Sequence, residues 1–160
     1  MTRGCFPAHL TASVLVVDER AERALLTLHA KAREWFQFGG HCEDADTTLA
    51  GAALREAREE SGIADLRLLP GPVQLDAHDV DFCHPRGTVA HLDVRYVAVA
   101  PTAATHAVSE ESLDVRWWPV DALPTREPGL IDLVRRARDL VAQSVSDSMS
   151  RPAAAETPSR

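Results

Sequence analysis

A chain of 160 residues, 45% hydrophobic and 26% charged, can bury one sizeable core and suits a single domain. Its formal net charge of −7 excludes a partner held mainly through phosphate-backbone electrostatics, so no DNA or RNA polymer is expected. A small phosphorylated ligand stays open, because a divalent cation can turn an acidic pocket into a phosphate site.

Residues 10–17 are apolar and β-branched and predict a buried strand, with a polar turn at Asp18, Glu19 and Arg20 and a hairpin partner at 24–29. Residues 35–38 form a short apolar piece stopped by Gly39 and Gly40. The most helical segment runs from about Thr47 to Ser61, with Asp46, Thr47 and Thr48 as N-cap candidates and Gly62 at the C′ position. Strand-like runs return at 66–69, 73–77 and 89–100; in the last, Leu92, Val94 and Tyr96 alternate with His91, Asp93 and Arg95, predicting one buried and one polar face. A small-residue loop covers 101–112, a short strand 115–120, and a second amphipathic helix 130–141. No internal repeat is present. The expected organisation is one domain over residues 1–144 and a disordered tail, rich in Ser, Ala and Pro, over 145–160. Together these elements predict an α/β or α+β layered fold with a mixed sheet.

The three cysteines, Cys5, Cys42 and Cys83, share no spacing and suit a reducing compartment. With neither a signal-peptide pattern nor a run approaching ~20 apolar residues, the expectation is a cytoplasmic protein without a membrane partner.

The chemistry is concentrated between residues 39 and 63. At 100° per residue, Glu59 falls about 60° behind Glu56 and Glu60 about 40° ahead of it, so three carboxylates share one helical face. They repel one another and sit in the last turns, where the helix dipole disfavours negative charge. Such a conflict suits either a solvated face offset by Arg55 and Arg58, or a hard divalent cation that reverses the sign of the interaction.

The string from Gly40 through Asp46 to Arg55-Glu56-Ala57-Arg58-Glu59-Glu60-Ser61-Gly62-Ile63 resembles the Nudix box, a glycine and loop acid followed by Arg-Glu-x-x-Glu-Glu-x-Gly and an apolar residue. Three departures accompany it: Asp46 stands in place of a glutamate, the interval from Asp46 to Arg55 is one residue longer than usual, and Ala57 is small for its position. The box covers about a seventh of the chain, and the strand order around it is also similar to the family's α/β/α sandwich.

The resemblance implies hydrolysis of a phosphoanhydride in a nucleoside diphosphate derivative: a nucleotide sugar, a dinucleotide or a modified nucleoside triphosphate. It implies that Glu56, Glu59 and Glu60, with a carbonyl of Gly39 or Gly40, coordinate Mg²⁺ or Mn²⁺, and that Arg55 orients the glutamates. A general base comes from the helix glutamates or from a loop, where Glu110 and Glu111 are the candidates. Dimerisation is common in the family, so a homodimer is among the expected states. Two other readings share the fold: a nucleotide-binding or regulatory module without turnover, and an allylic diphosphate isomerase using Cys42.

Other groups carry less. His41, Cys42, Cys83 and His84 have zinc-ligand chemistry, but neither pair has a metal-ligand spacing, and no zinc site is assigned. Trp35, Trp117 and Trp118 suit either the core or a stacked base. His78, His91 and Arg95 suit a solvated strand face or a substrate contact.

Overall fold

The computed structural model describes residues 4–81, 83–110 and 112–150. Eight strands and two helices follow one another as β1 (Ala8–Val17), β2 (Arg23–His29), β3 (Trp35–Phe36), β4 (Phe38–His41), α1 (Leu49–Ser61), β5 (Arg67–Leu68), β6 (Gln74–Val80), β7 (Val89–Val99), β8 (Ser112–Pro119) and α2 (Pro128–Ser150). They form a mixed sheet with a helix on each face, an α/β/α sandwich.

The longest pairing is parallel, β1 beside β7, from Ala8↔Ala90 to Val17↔Val99. On its other edge β1 meets β2 at Val16 and Val17; further along, β4 takes that place, with Thr11↔His41 and Val14↔Phe38. Gly39 and Gly40 therefore lie inside a strand, where the sequence reading ends one. The reason is close approach: a Cβ on Gly39 would stand 2.4 Å from Ser13 Cβ.

Period-two alternation divides β1 between two cores. Ala12, Val14 and Val16 pack with Ala52, Ala53 and Ala57 of α1, whose small side chains let the helix lie close to the sheet. On the opposite face, Leu15 and Val17 pack with Leu130, Leu133, Val134, Ala137 and Val141 of α2. That face changes character along the strand, continuing as Ser13, Thr11 and His9, all buried. Thr11 and Ser13 donate to Asp93 at 3.1 and 2.8 Å, and Arg95 Nε donates to the same carboxylate at 2.9 Å. Arg95 also reaches Gln74 and Asp76 on β6. Asp93 and Arg95 of the polar row are thus buried in a satisfied ion-pair network, while Leu92 and Val94 opposite are only half-buried.

Helix α1 begins where Thr48 accepts a hydrogen bond from Gly51 N at 3.0 Å and ends at Gly62, left-handed at φ 71°. Helix α2 starts two residues before the predicted position, because Glu127 accepts from the backbone N–H of Gly129 and Leu130 and Pro128 fits the first turn. It also runs past 144, through Ser150. The serines there are compatible with helix because Ser144 and Ser146 donate back to the carbonyls of Val141 and Ala142. The rest of the expected tail, 151–160, lies outside the described residues. No described helix is long and apolar enough to cross a membrane.

Candidate active site

The glutamate face of α1 lies against β4. A Cβ on Gly40 would stand 2.6 Å from Glu56 Oε1 and 3.0 Å from Oε2, so the absence of a side chain at Gly40 makes room for that carboxylate. Glu56 and Glu60 are half-buried and Glu59 is exposed.

Arg55 organises this face. Its Nη1 lies 3.2 Å from Glu56 Oε1 and 3.1 Å from Glu59 Oε2, so one guanidinium nitrogen sits between two of the three carboxylates. Its Nε and Nη2 donate to the two oxygens of Asp46 at 3.2 and 2.9 Å, and Nη2 also donates to the His41 carbonyl at 3.2 Å. A two-pronged Arg–carboxylate pair fixes orientation better than a single contact. The side-chain bond to Asp46 raises the Arg55 pKa, and the bond from Arg55 lowers that of Asp46, so both stay charged. Asp46 also accepts from Glu43 N at 2.8 Å. Its place is the anchor between loop and helix. The helix starts at Leu49 after the Thr48 cap, so residues 47 and 48 lie before it and the register from Arg55 to Gly62 is intact.

Of the loop candidates, Glu110 is exposed beside a turn in which Ser112 N donates to the Ser109 carbonyl, and Ser112 Oγ lies 2.6 Å from Thr27 Oγ1 on β2. Glu111 lies outside the described residues. Burial pushes the Cys42 thiol pKa up, with Asp46 adding to the effect, which is the opposite of an activated thiolate.

A sequence model of the NUDIX domain matches residues 7–140, most of the chain. The chain belongs to the Nudix family. Solved Nudix structures share the fold at low identity. A NUDIX-family hydrolase from Clostridium perfringens superposes with a TM-score of 0.62 at 22% identity, covering 85% of this chain and 97% of that one. The Escherichia coli dihydroneopterin triphosphate pyrophosphohydrolase gives 0.60 at 16%, covering 86% and 95%. The NUDIX domain of Shewanella oneidensis NrtR, complexed with ADP ribose, gives 0.57 at 17%, covering 81% and 86%. No curated protein matched the sequence. In this Nudix chain Gly40, Arg55, Glu56 and Glu59 lie together, with Glu60 on the same helix.

The tryptophans are half-buried and serve packing. Trp35 meets Trp118 edge-on with centroids 5.3 Å apart, and Trp117 packs against the α1 core with Arg23 stacked over it at 5.2 Å. An open cleft of about 390 Å³ is lined by Arg23, Trp117, Asp18 and residues of the loop after β7; none of its lining residues belongs to α1 or β4. Arg23 is already paired with Asp18 at 3.0 Å.

A second cluster was not legible as a unit in the sequence. His9, His41, Cys83 and His91 present Nε2 and Sγ atoms that all lie within 4.8 Å of one another. His41 and Cys83 are singled out by residue type; their partners are His9 and His91, not Cys42 and His84. The signal that unites them is the register His9↔His91, which only the parallel pairing of β1 and β7 supplies. Burial, then the neighbouring His9 and His78, lowers the His91 pKa to about 4, so its ring is neutral at pH 7. Arg95 is held in the ion-pair network, and His78 contacts Asp76 at 2.7 Å.

Proposed function

We propose that the protein is a Mg²⁺- or Mn²⁺-dependent pyrophosphohydrolase that cleaves the phosphoanhydride of a nucleoside diphosphate derivative by attack of water on phosphorus. Nucleotide sugars, dinucleotides and modified nucleoside triphosphates form the substrate class. The observation that carries this reading is the Arg55 hub, which holds Glu56 and Glu59 on one face of α1 with the Glu56 carboxylate against Gly40.

An all-oxygen donor set of carboxylates and a carbonyl suits a hard cation that keeps part of its shell for phosphate and water. Glu56, Glu59, Glu60 and the Gly40 carbonyl would hold the ion. When bound, it supplies neutralisation of charge on the diphosphate and a lower pKa for water at the site. The chain's own work is positional. Arg55 offsets the mutual repulsion of Glu56 and Glu59 and ties them to the loop through Asp46. A carboxylate of α1, or Glu110 or Glu111 of the loop before β8, takes the proton of the attacking water. The three free cysteines agree with a cytoplasmic setting, and assembly as a homodimer belongs to the same reading.

Incubation with a panel of diphosphate-linked nucleotides, with Mg²⁺ or with chelator, tests the proposal and names the substrate. Cleavage that requires the metal and is lost in Glu59→Gln supports it. Calorimetric binding of a nucleotide with metal but without product supports instead a binding module without turnover.

A further inference from the structure

We propose that His9, His41, Cys83 and His91 form a second metal site, binding a structural zinc ion that pins β1, β4, β7 and the β6–β7 loop together on the sheet face opposite α1. His9 and His91 are register partners on the parallel strands β1 and β7, so their side chains leave the same face. His41 pairs with Thr11, two residues along β1 from His9, which places it on that face too. Cys83 arrives from the loop between β6 and β7. Three strands and a loop thus deliver four soft or borderline donors to one point.

Four of the six donor separations lie close to those of a tetrahedron. Zinc bonds of about 2.0–2.1 Å to nitrogen and about 2.3 Å to sulfur imply separations of roughly 3.3 Å between two nitrogens and roughly 3.5 Å between nitrogen and sulfur. His9 Nε2 and His41 Nε2 are 2.9 Å apart; Cys83 Sγ is 3.3 Å from His41 Nε2, 3.3 Å from His91 Nε2 and 3.7 Å from His9 Nε2. The other two edges, from His91 Nε2 to the other imidazoles, lie within 4.8 Å, so the shell closes when the His91 ring moves in toward the other three donors.

Proton accounting points the same way. His9 Nδ1 lies 3.2 Å from the Cys5 carbonyl, which can only accept, so in the neutral ring Nδ1 carries the proton and Nε2 presents a lone pair to the cluster. That is the outer hydrogen bond that orients a metal-binding histidine. Three imidazole nitrogens and one sulfur converge on one point, where a single cation can take a lone pair from each. On binding, the Cys83 thiol gives its proton to water as the zinc–sulfur bond forms, while the imidazoles bind neutral. Four protein ligands leave no open position, which describes a structural site and not a second catalytic one. The donors also differ from the oxygen set of the glutamate face: thiolate with imidazole selects zinc over magnesium. The site adjoins the catalytic loop through His41, whose carbonyl accepts from Arg55.

The test uses the full chain purified without chelator and then reconstituted with zinc or with cobalt. The expected result is about one equivalent of tightly held zinc, and a thiolate-to-cobalt charge-transfer band that Cys83→Ala removes and Cys42→Ser keeps. X-ray absorption at the zinc edge of the unaltered protein provides a readout that needs no variant. It should show a mixed shell of nitrogen and one sulfur. A shell of nitrogen and oxygen alone would overturn the site, as would zinc content far below one equivalent, or a thiolate band that survives Cys83→Ala. Zinc held on the glutamate face would give oxygen scattering and no such band.

Discussion

A methyl group added at Gly40 would meet the movable carboxylate of Glu56, whereas one at Gly39 would meet Ser13 Cβ at 2.4 Å and the Ala12 carbonyl at 2.8 Å. The two substitutions should therefore separate function from stability. Gly40→Ala should lower turnover by about 10–100-fold, as expected for disturbing a group that positions metal ligands, with little change in melting temperature. Gly39→Ala should destabilise the fold by about 1–3 kcal/mol, since backbone cannot move aside as a carboxylate can. Paired thermal melts and rate measurements check both. Asp46 carries a pH prediction. Its hydrogen bond from Arg55 holds its pKa below the ordinary 3.8 in the folded state, so the clamp stabilises fully above that value and is lost as pH falls through the lowered one. A carboxyl-carbon NMR titration of Asp46 should show a midpoint under 3.8; a midpoint at or above it would contradict the clamp. At this scale the glutamates and Arg55 are legible because a local motif places them. The partner of Asp46 is not, because the motif's loop differs here in length and in acid, and only the folded loop shows the acid meeting Arg55.

Helix α1 depends on its ends as much as on its face. Thr48→Ala removes the acceptor for Gly51 N and should cost about 1 kcal/mol, read as a drop of roughly 2–4 °C in melting temperature. The sheet carries a larger liability in Asp93 and Arg95, which are 4% and 5% exposed and so depend on each other for compensation. Arg95→Ala should destabilise by about 3–5 kcal/mol, because it strands a buried carboxylate between Thr11 and Ser13. Replacing the pair together, as Asp93→Asn with Arg95→Met, should cost less. Urea denaturation of the single and double variants measures the difference. The alternation of β7 was legible, but the fate of its polar row was not. A period-two pattern says which residues share a face and cannot say that β1, β6 and α2 cover it. Gly39 and Gly40 misled for a related reason: two glycines read as a stop, yet β4 uses their lack of side chains to lie close to β1 and to Glu56.

Across the whole molecule, α1 packs its small alanines on one face of the sheet and α2 its larger aliphatics on the other, while β4 brings Gly40 under the glutamates and His41 into the histidine–cysteine cluster. The layered α/β character was legible from the spacing of strands and helices and from the motif. The long-range parallel pairing of β1 with β7 was not, since no local pattern encodes which distant strand lies alongside, and the cluster it assembles stayed hidden with it. The glutamate face of α1 is proposed to do the chemistry with a divalent ion. Phosphorus NMR of a cleavable diphosphate-linked nucleotide, with Mg²⁺ at saturation, tests it most directly by comparing the unaltered chain with Glu56→Gln. The account predicts splitting of the P–O–P bond that slows by about 10²-fold or more in the variant, with circular dichroism unchanged. Equal rates in the two proteins, or an inert unaltered chain across the whole substrate panel, would contradict it.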